Sequence, residues 1–490
     1  MNRTSAKTIP LGLIAALVLL ALTAASAMAA KNQLTVIEDP ARMLSTSPET
    51  RTASLDETRA LGADIAKIPV TWRAYVPDGE SPVKPGVDLT NPDSYPAGAW
   101  DTLDGIVSGA QTRGMKVWLM ITAPAPRWAV ARETSPAPGA YMPDPAAYGE
   151  FVAAVAKRYP GVRYFSLWNE LNLKRYMQPQ SQGGLVQSAI HYRSMYRAGY
   201  KALTENGHSR DTIMFGELLP RSQSYDPGNV TRPLTWLREF FCLDANGLAF
   251  RGKEATRHKC RGFKAFKASG IAYHPYNFIN GPLKAETASK DNAAIRYLPR
   301  LERLLDQAYK AKHLSTRKLK IYNSEFGFQT NPPDTRAGYA ISKVPYYLNV
   351  SEYMTWLDPR VASYAQYLIV DDLHIDSFQT GLRFADGTVK PTVYAAFQTP
   401  MMVIKGASAN RITVWGCLRA KPAGTVSAEL QVRQGDSWTT VKTIPVSASS
   451  GYFMQSVAVN RANSKTFRVS WSGGTSRSSR PGTDVRMRTD

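Results

Sequence analysis

Lys116–Ala123 (KVWLMITA) and Val162–Trp168 (VRYFSLW) are two short apolar runs, each preceded by a helical pattern. The first follows Ala99–Arg113, whose end is marked by Gly114, and the second follows Asp144–Tyr159, broken by Pro160-Gly161. Glycine just past a helix and a Pro-Gly break are stop signals, because neither residue continues the helical hydrogen-bond ladder comfortably. The same alternation extends in both directions. Leu34–Glu38 and Ala63–Trp72 come before it; Thr212–Leu218, Gly270–Tyr276, Lys320–Phe326 and Val361–Val370 come after it. Amphipathic stretches separate most of these runs, among them Leu185–Asn206, Asp291–Ala311 and Tyr346–Leu357. Near-continuous apolar strands between amphipathic helices predict a parallel sheet covered on both faces. Eight such units predict an α/β fold of the (β/α)8 barrel type rather than an open doubly wound sheet. Pro69 lies inside the second run and lacks an N–H, which predicts a bulge or an early end to pairing there.

The pattern changes after a last helix at Thr392–Thr399. Arg411–Leu418, Val426–Arg433, Thr439–Val446, Tyr452–Val459 and Phe467–Trp471 are short alternating runs separated by Gly, Ser, Pro and Asn. They predict a small antiparallel β-sandwich. At the other end, Arg3 and Lys7 precede an apolar run and Ala27-Met28-Ala29, the pattern of a cleaved signal peptide. The expected organisation is a signal peptide over 1–29, a barrel over 30–402, a sandwich over 403–473 and a disordered basic tail over 474–490. The mature chain is expected to be secreted, monomeric and not inserted in a membrane.

The formal net charge is +21, with Lys and Arg spread along the whole chain and densest at Arg251–Lys267 and Lys310–Lys320. No nucleic-acid module surrounds them, so nucleic acid is not an expected partner; an anionic envelope glycan is compatible with the charge, as is a solvated surface. Cys242 and Cys260 flank a basic loop and suit a disulfide in an oxidising compartment, leaving Cys417 as a lone buried thiol. The six histidines are scattered and no Cys-rich cluster accompanies them, so neither a metal nor another cofactor is expected.

Chemistry in this architecture is expected at the C-terminal ends of the strands. The fourth run ends in Trp168-Asn169-Glu170 and the seventh in Asn323-Ser324-Glu325-Phe326-Gly327. Cleaving a glycosidic bond takes one carboxyl group to protonate the leaving oxygen and a second to attack or to activate water. Glutamates at strand ends four and seven meet this need from opposite sides of one opening. Glu217, ending the fifth run, is a third carboxylate with access to the same space.

Phe165–Asn172 (FSLWNELN) resembles the W-N-E-P-N signature of clan A retaining glycoside hydrolases, the group of cellulase family five and xylosidase family thirty-nine. Asn323–Gly327 (NSEFG) is similar to the seventh-strand motif of that group, and Ala123–Trp128, His274-Pro275-Tyr276 and Gly387–Phe397 extend the likeness across the barrel. The resemblance is nearest to secreted actinobacterial enzymes of cellulase type that carry a small β-domain behind the barrel. It implies a carbohydrate substrate, Glu170 as general acid/base and Glu325 as nucleophile. It implies further that Asn169 binds a sugar hydroxyl, Tyr276 keeps Glu325 ionised and aimed, and His274 orients substrate or the acid/base. Trp168, Trp72 and Trp128 are candidates for stacking on sugar rings, with core packing the competing reading.

Three positions depart from the pattern. Lys67 stands where the group has an Arg that braces the nucleophile, and Lys cannot make the bidentate contact of Arg. Leu171 replaces the usual Pro, and the eighth run ends in Tyr364–Asp372 rather than a Trp, leaving Gln366, Tyr367 and Asp371 as local candidates. Trp415 and Trp438 are glycan-binding candidates in the sandwich. A barrel that binds carbohydrate after losing catalysis is the alternative function; retention of both glutamates argues against it.

Overall fold

The computed structural model describes residues 32–221, 229–278, 281–285, 289–419, 424–447, 450–460 and 465–488. The segment expected to be a signal peptide lies outside the described residues. Eight parallel strands close into a barrel: β1 Leu34–Glu38, β2 Ile65–Thr71, β3 Lys116–Thr122, β4 Tyr164–Leu167, β5 Thr212–Leu218, β6 Gly270–Tyr273, β7 Lys320–Asn323 and β8 Val361–Tyr367. Each strand pairs with its sequence neighbours, and β8 closes on β1 from Leu34↔Ser363 to Glu38↔Tyr367.

Eight helices form the outer layer: α1 Pro48–Ala60, α2 Asp101–Thr112, α3 Pro145–Arg158, α4 Gln187–Leu203, α5 Pro233–Phe240, α6 Leu298–Lys310, α7 Val344–Trp356 and α8 Pro391–Gln398. Their starts follow local chemistry. Asp144 accepts the Ala147 N–H at 2.8 Å ahead of α3, and Pro145 occupies the first turn, where its missing N–H costs nothing. Ser47 and Pro48 do the same for α1.

In β3 every residue after Lys116 is buried, as a strand between barrel interior and helix layer must be. Pro69 sits in register opposite Met120, and the β2–β3 ladder runs on without a bulge to Thr71↔Thr122. On the other side β2 pairs with β1 only at Ile65 and Ala66. The early end of pairing therefore falls on one edge, where Pro69 has no N–H to give.

The second domain holds β9 Met401–Lys405, β10 Arg411–Cys417, β11 Thr425–Gln434, β12 Ser437–Ser447, β13 Tyr452–Ala458 and β14 Phe467–Trp471 in two antiparallel sheets, β9-β10-β13 and β12-β11-β14. Met401, Val414, Leu430, Ile444 and Phe467 are among the residues of its core. Its contact with the barrel centres on a buried ion pair: Arg419 Nη2 lies 2.6 Å from Glu352 Oε1 of α7, and the Tyr452 hydroxyl donates to the same oxygen at 2.7 Å.

The expected disordered tail is ordered through Arg488. Gly474–Thr475 pairs with β14, Gly482 bridges Ile404 of β9, and the Tyr353 hydroxyl of α7 donates to Asp484 at 2.7 Å. The Arg488 N–H donates to the Arg296 carbonyl and Met487 packs on the barrel core. Composition suggested disorder; free sheet edge and helix surface instead offered this segment partners. Cys242 and Cys260 form the disulfide, with Cα atoms 5.8 Å apart, and Cys417 is a buried thiol.

Candidate active site

The upper barrel interior is charged. Lys67 of β2 and Glu217 of β5 come from non-adjacent strands, so their 2.6 Å contact spans the lumen. Lys67 Nζ also lies 2.7 Å from Glu38 Oε2, at the end of β1, and 3.3 Å from Glu325 Oε1, just past β7. Beneath them the Trp118 indole donates to Ser166 Oγ at 2.8 Å, and Ser166 donates to Glu217 Oε1. Lys67 and Glu217 are fully buried.

His274, directly after β6, joins this base to the opening. Its Nε2 lies 2.7 Å from Glu217 Oε2 and 3.4 Å from Glu325 Oε1, and its Nδ1 lies 3.1 Å from Glu170 Oε1. Tyr276 donates to Glu325 Oε2 at 3.4 Å. One oxygen of Glu170, one of Glu325 and a ring nitrogen of His274 all fall within 4.8 Å of one another. Glu170 keeps 12% of its side chain exposed and Glu325 keeps 8%, so both reach the opening while Glu217 does not.

The chain bends sharply to present Glu170. Trp168 has φ +79° and Glu170 φ +37°, left-handed conformations that cost non-glycine residues on the order of 1–3 kcal/mol each. Surrounding bonds hold the bend. The Trp168 indole donates to the Tyr176 carbonyl at 2.9 Å, and Asn172 fastens the segment to the end of β5 through the Leu219 N–H and carbonyl, both at 2.9 Å.

Charge states follow from burial and neighbours. Burial pushes Glu217 up, but Lys67 and His274 outweigh it and hold the carboxyl down at about 2. Burial dominates for Glu38, raised to about 8 despite Lys67. Burial also raises Glu325 against the pull of His274 and Lys67. His274 is pushed down by burial but raised to about 10 by Glu325, Glu170 and Glu217. His274 faces a carboxylate at each ring nitrogen, and Lys67 supplies a buried cation beside Glu38, Glu217 and Glu325.

Glu170, Glu325, His274 and Tyr276 are brought together as the motifs implied. Asn169 is buried beside them, and its Oδ1 has no hydrogen-bond partner. Two of the three tryptophans require correction. Trp72 is fully buried, packed edge-on against Trp128 at 6.1 Å and stacked with Phe151 at 6.0 Å. Trp168 is fully buried against Tyr148 at 5.3 Å. Neither has a free face for a sugar, because helix α3 covers both. Trp128 is half-buried, with Lys84 Nζ 5.7 Å from its ring centroid. Gln366 turns its amide N–H groups to the Thr380 and Leu368 carbonyls, and Asp371 is paired with Lys390 at 2.7 Å. Trp415 is fully buried at the domain contact, whereas Trp438 is half-buried beneath Arg468 at 4.3 Å.

Three contributors were not singled out from sequence. Glu38 ends β1 and was legible only as the last residue of an apolar run. Phe378 lies 6.0 Å from the Tyr276 ring and 4.9 Å from Tyr367, giving the opening a partly exposed aromatic wall near Glu325. Tyr176 is raised by burial and by the nearby charges of Glu170 and Glu325. A hollow of about 300 Å³ beside it is lined by Ala123, Pro124, Pro136 and Arg175.

No known family model matches the chain, and no curated protein matches it. Among solved structures it is similar to GH5_18 from Streptomyces cattleya in complex with GlcNAc, at 14% identity over 75% of this chain and 79% of that one, TM-score 0.48. It is also similar to a GH5-4 broad specificity endoglucanase from Clostridium acetobutylicum, at 13% identity over 76% and 99%, TM-score 0.44. A calcium-binding mutant of β-glucuronidase 2 from Bacteroides uniformis matches at 11% identity over 93% of this chain, TM-score 0.41, and the chain spans only 45% of its length.

Proposed function

We propose that the protein is a secreted glycoside hydrolase that cleaves O-glycosidic bonds with retention, Glu325 acting as nucleophile and Glu170 as general acid/base. The observation that carries this reading is the placement of the two glutamates across one opening with oxygens no more than 4.8 Å apart. Retaining enzymes hold their carboxyl groups about 5–5.5 Å apart, whereas inverting enzymes need about 6.5–9.5 Å to admit a water. Lys67, His274 and Tyr276 all converge on Glu325, where the two cations oppose the upward push of burial on a carboxyl that must ionise to attack. The Tyr276–Phe378–Tyr367 wall suits the apolar face of a pyranose.

The leader pattern and the disulfide support export to an oxidising compartment. Lys174 and Arg175 line a cavity that among the described residues no carboxylate lines, which suits glycans bearing acidic groups. The test is azide rescue. Glu170→Ala and Glu325→Ala should each lose nearly all turnover on an activated aryl glycoside. Azide should restore Glu170→Ala with a glycosyl azide of retained anomeric configuration. Wild-type turnover by Glu325→Gln overturns the assignment.

A further inference from the structure

Glu217 has no route to a substrate. It is fully buried and both its oxygens are occupied, Oε1 by Ser166 and Oε2 by Lys67 and His274. What it controls is the protonation of His274. A neutral imidazole carries one N–H and one lone pair. His274 faces a carboxylate at each nitrogen, Glu170 at 3.1 Å and Glu217 at 2.7 Å. With Glu170 and Glu217 both ionised, both contacts are attractive only when both nitrogens carry protons. A neutral ring would turn a lone pair toward an anion in a fully buried site, where such repulsion is weakly screened. Glu217 is the fixed anion of this arrangement, since Lys67, Ser166 and the Trp118 indole behind Ser166 hold it from below.

We propose that Glu217 is a positioning residue that keeps His274 doubly protonated, and that Glu170 and His274 together hold the proton delivered to the leaving-group oxygen. The delivery step rests on the glycosidase reading above; the protonation of His274 does not. In the first half-reaction the Nδ1 proton passes to Glu170 and from there to the glycosidic oxygen. The bond from the anomeric carbon to that oxygen breaks, its electron pair stays with the oxygen, and a Glu325 oxygen bonds the anomeric carbon. His274 is left neutral, still donating from Nε2 to Glu217. In the second half-reaction water bonds the anomeric carbon and the ester bond breaks, its electron pair returning to Glu325. The water proton passes to Glu170 and on to Nδ1, restoring the starting state.

The two events are coupled by charge. The Glu325 charge favours protonated His274, as do Glu170 and Glu217, Glu217 through both its hydrogen bond and its charge. Forming the glycosyl ester removes the Glu325 charge at the moment the proton must leave. Other groups reach the ring less directly: Lys67 from β2 and Glu38 from β1 through the shared cluster, Tyr276 edge-on at 6.2 Å, and Tyr367 of β8 across Glu325.

The experiment is nitrogen-15 resonance spectroscopy of histidine-labelled protein across pH 5–11, with His274 identified by its loss in His274→Gln. In the wild type both ring nitrogens of His274 should read as protonated at pH 7.5. In Glu217→Gln the titration midpoint should fall by at least one pH unit, about tenfold in proton affinity, and the alkaline limb of kcat/KM should move down with it. A neutral wild-type His274 overturns the proposal, and needs no variant to fold. So does an unchanged midpoint in Glu217→Gln, or a loss of activity equal at every pH. The resonances need no substrate, so the two readings fail separately. A protonated His274 in a protein that cleaves no glycoside overturns the glycosidase reading; cleavage with a neutral His274 overturns the present one.

Discussion

Lys67 Nζ stands 3.3 Å from Glu325 Oε1 and is fully buried, so a lysine fills the bracing position beside the candidate nucleophile. A point cation there makes one contact to Glu325 and spends its other protons on Glu38 and Glu217. The brace is shared among three carboxylates.

Removing that cation should be costly in two ways. Lys67→Met leaves buried carboxylates without their partner, which typically destabilises by about 3–5 kcal/mol. It should also cut turnover by more than about a hundredfold, as loss of a preorganised charge does. Urea denaturation and initial rates on an aryl glycoside check both. A variant within twofold of wild type in rate would refute the role.

Stability should peak in mildly acidic solution. Glu217, held down at about 2, contributes stability that is complete above its unfolded value near 4.5 and is lost as pH falls toward 2. Glu38, raised to about 8, stays protonated in the fold while the unfolded chain ionises, so stability falls as pH rises from 4.5 to 8. His274, raised to about 10, contributes stability present below about 6.5 and lost as pH rises through 10. Melting temperature against pH should therefore form a dome, and Glu38→Gln should flatten its descent between pH 4.5 and 8. A wild-type curve still rising from pH 6 to 9 would contradict these signs.

The disulfide closes a loop 18 residues long. Replacing Cys242 and Cys260 together by Ser should lower stability by about 3 kcal/mol in the chain-entropy model, read from the urea midpoint. The two cysteines pack in a cluster of their own with Ala255, Phe250 and Phe263, so kcat at 25 °C should hold within twofold.

The ordered tail and the Glu352–Arg419 pair should both stabilise the contact between domains. Glu352→Ala leaves the Arg419 charge buried and should cost about 3–5 kcal/mol. Deleting 474–490 removes the Asp484–Tyr353 bond and the Met487 packing, and should lower the melting temperature too. Calorimetry checks both, and a tail deletion with unchanged melting temperature would show that these contacts contribute nothing.

The barrel was legible because its signal is local and repeated: apolar runs recur eight times with helical periodicity between most of them, and each instance can be read within its own segment. Glu170 and Glu325 were legible for the same reason, since each lies at a strand end inside a short recognisable run. Pro69 likewise announced an interruption, although only pairing partners could say which edge lost it.

The rest depended on distance across the barrel. Lys67 and Glu217 are 150 positions apart, and Glu38 lies further still from Glu325. Nothing in their own segments marks them as one charged cluster. Trp72 and Trp168 sit in sequence beside the site, yet helix α3 claims their faces for the core. Composition alone made the tail look disordered, while sheet edge and helix surface gave it partners. The sequence by itself determined the strand order and the two carboxylates. Tertiary structure decided their charge states, because burial and opposing charge act through space, between residues the chain keeps far apart.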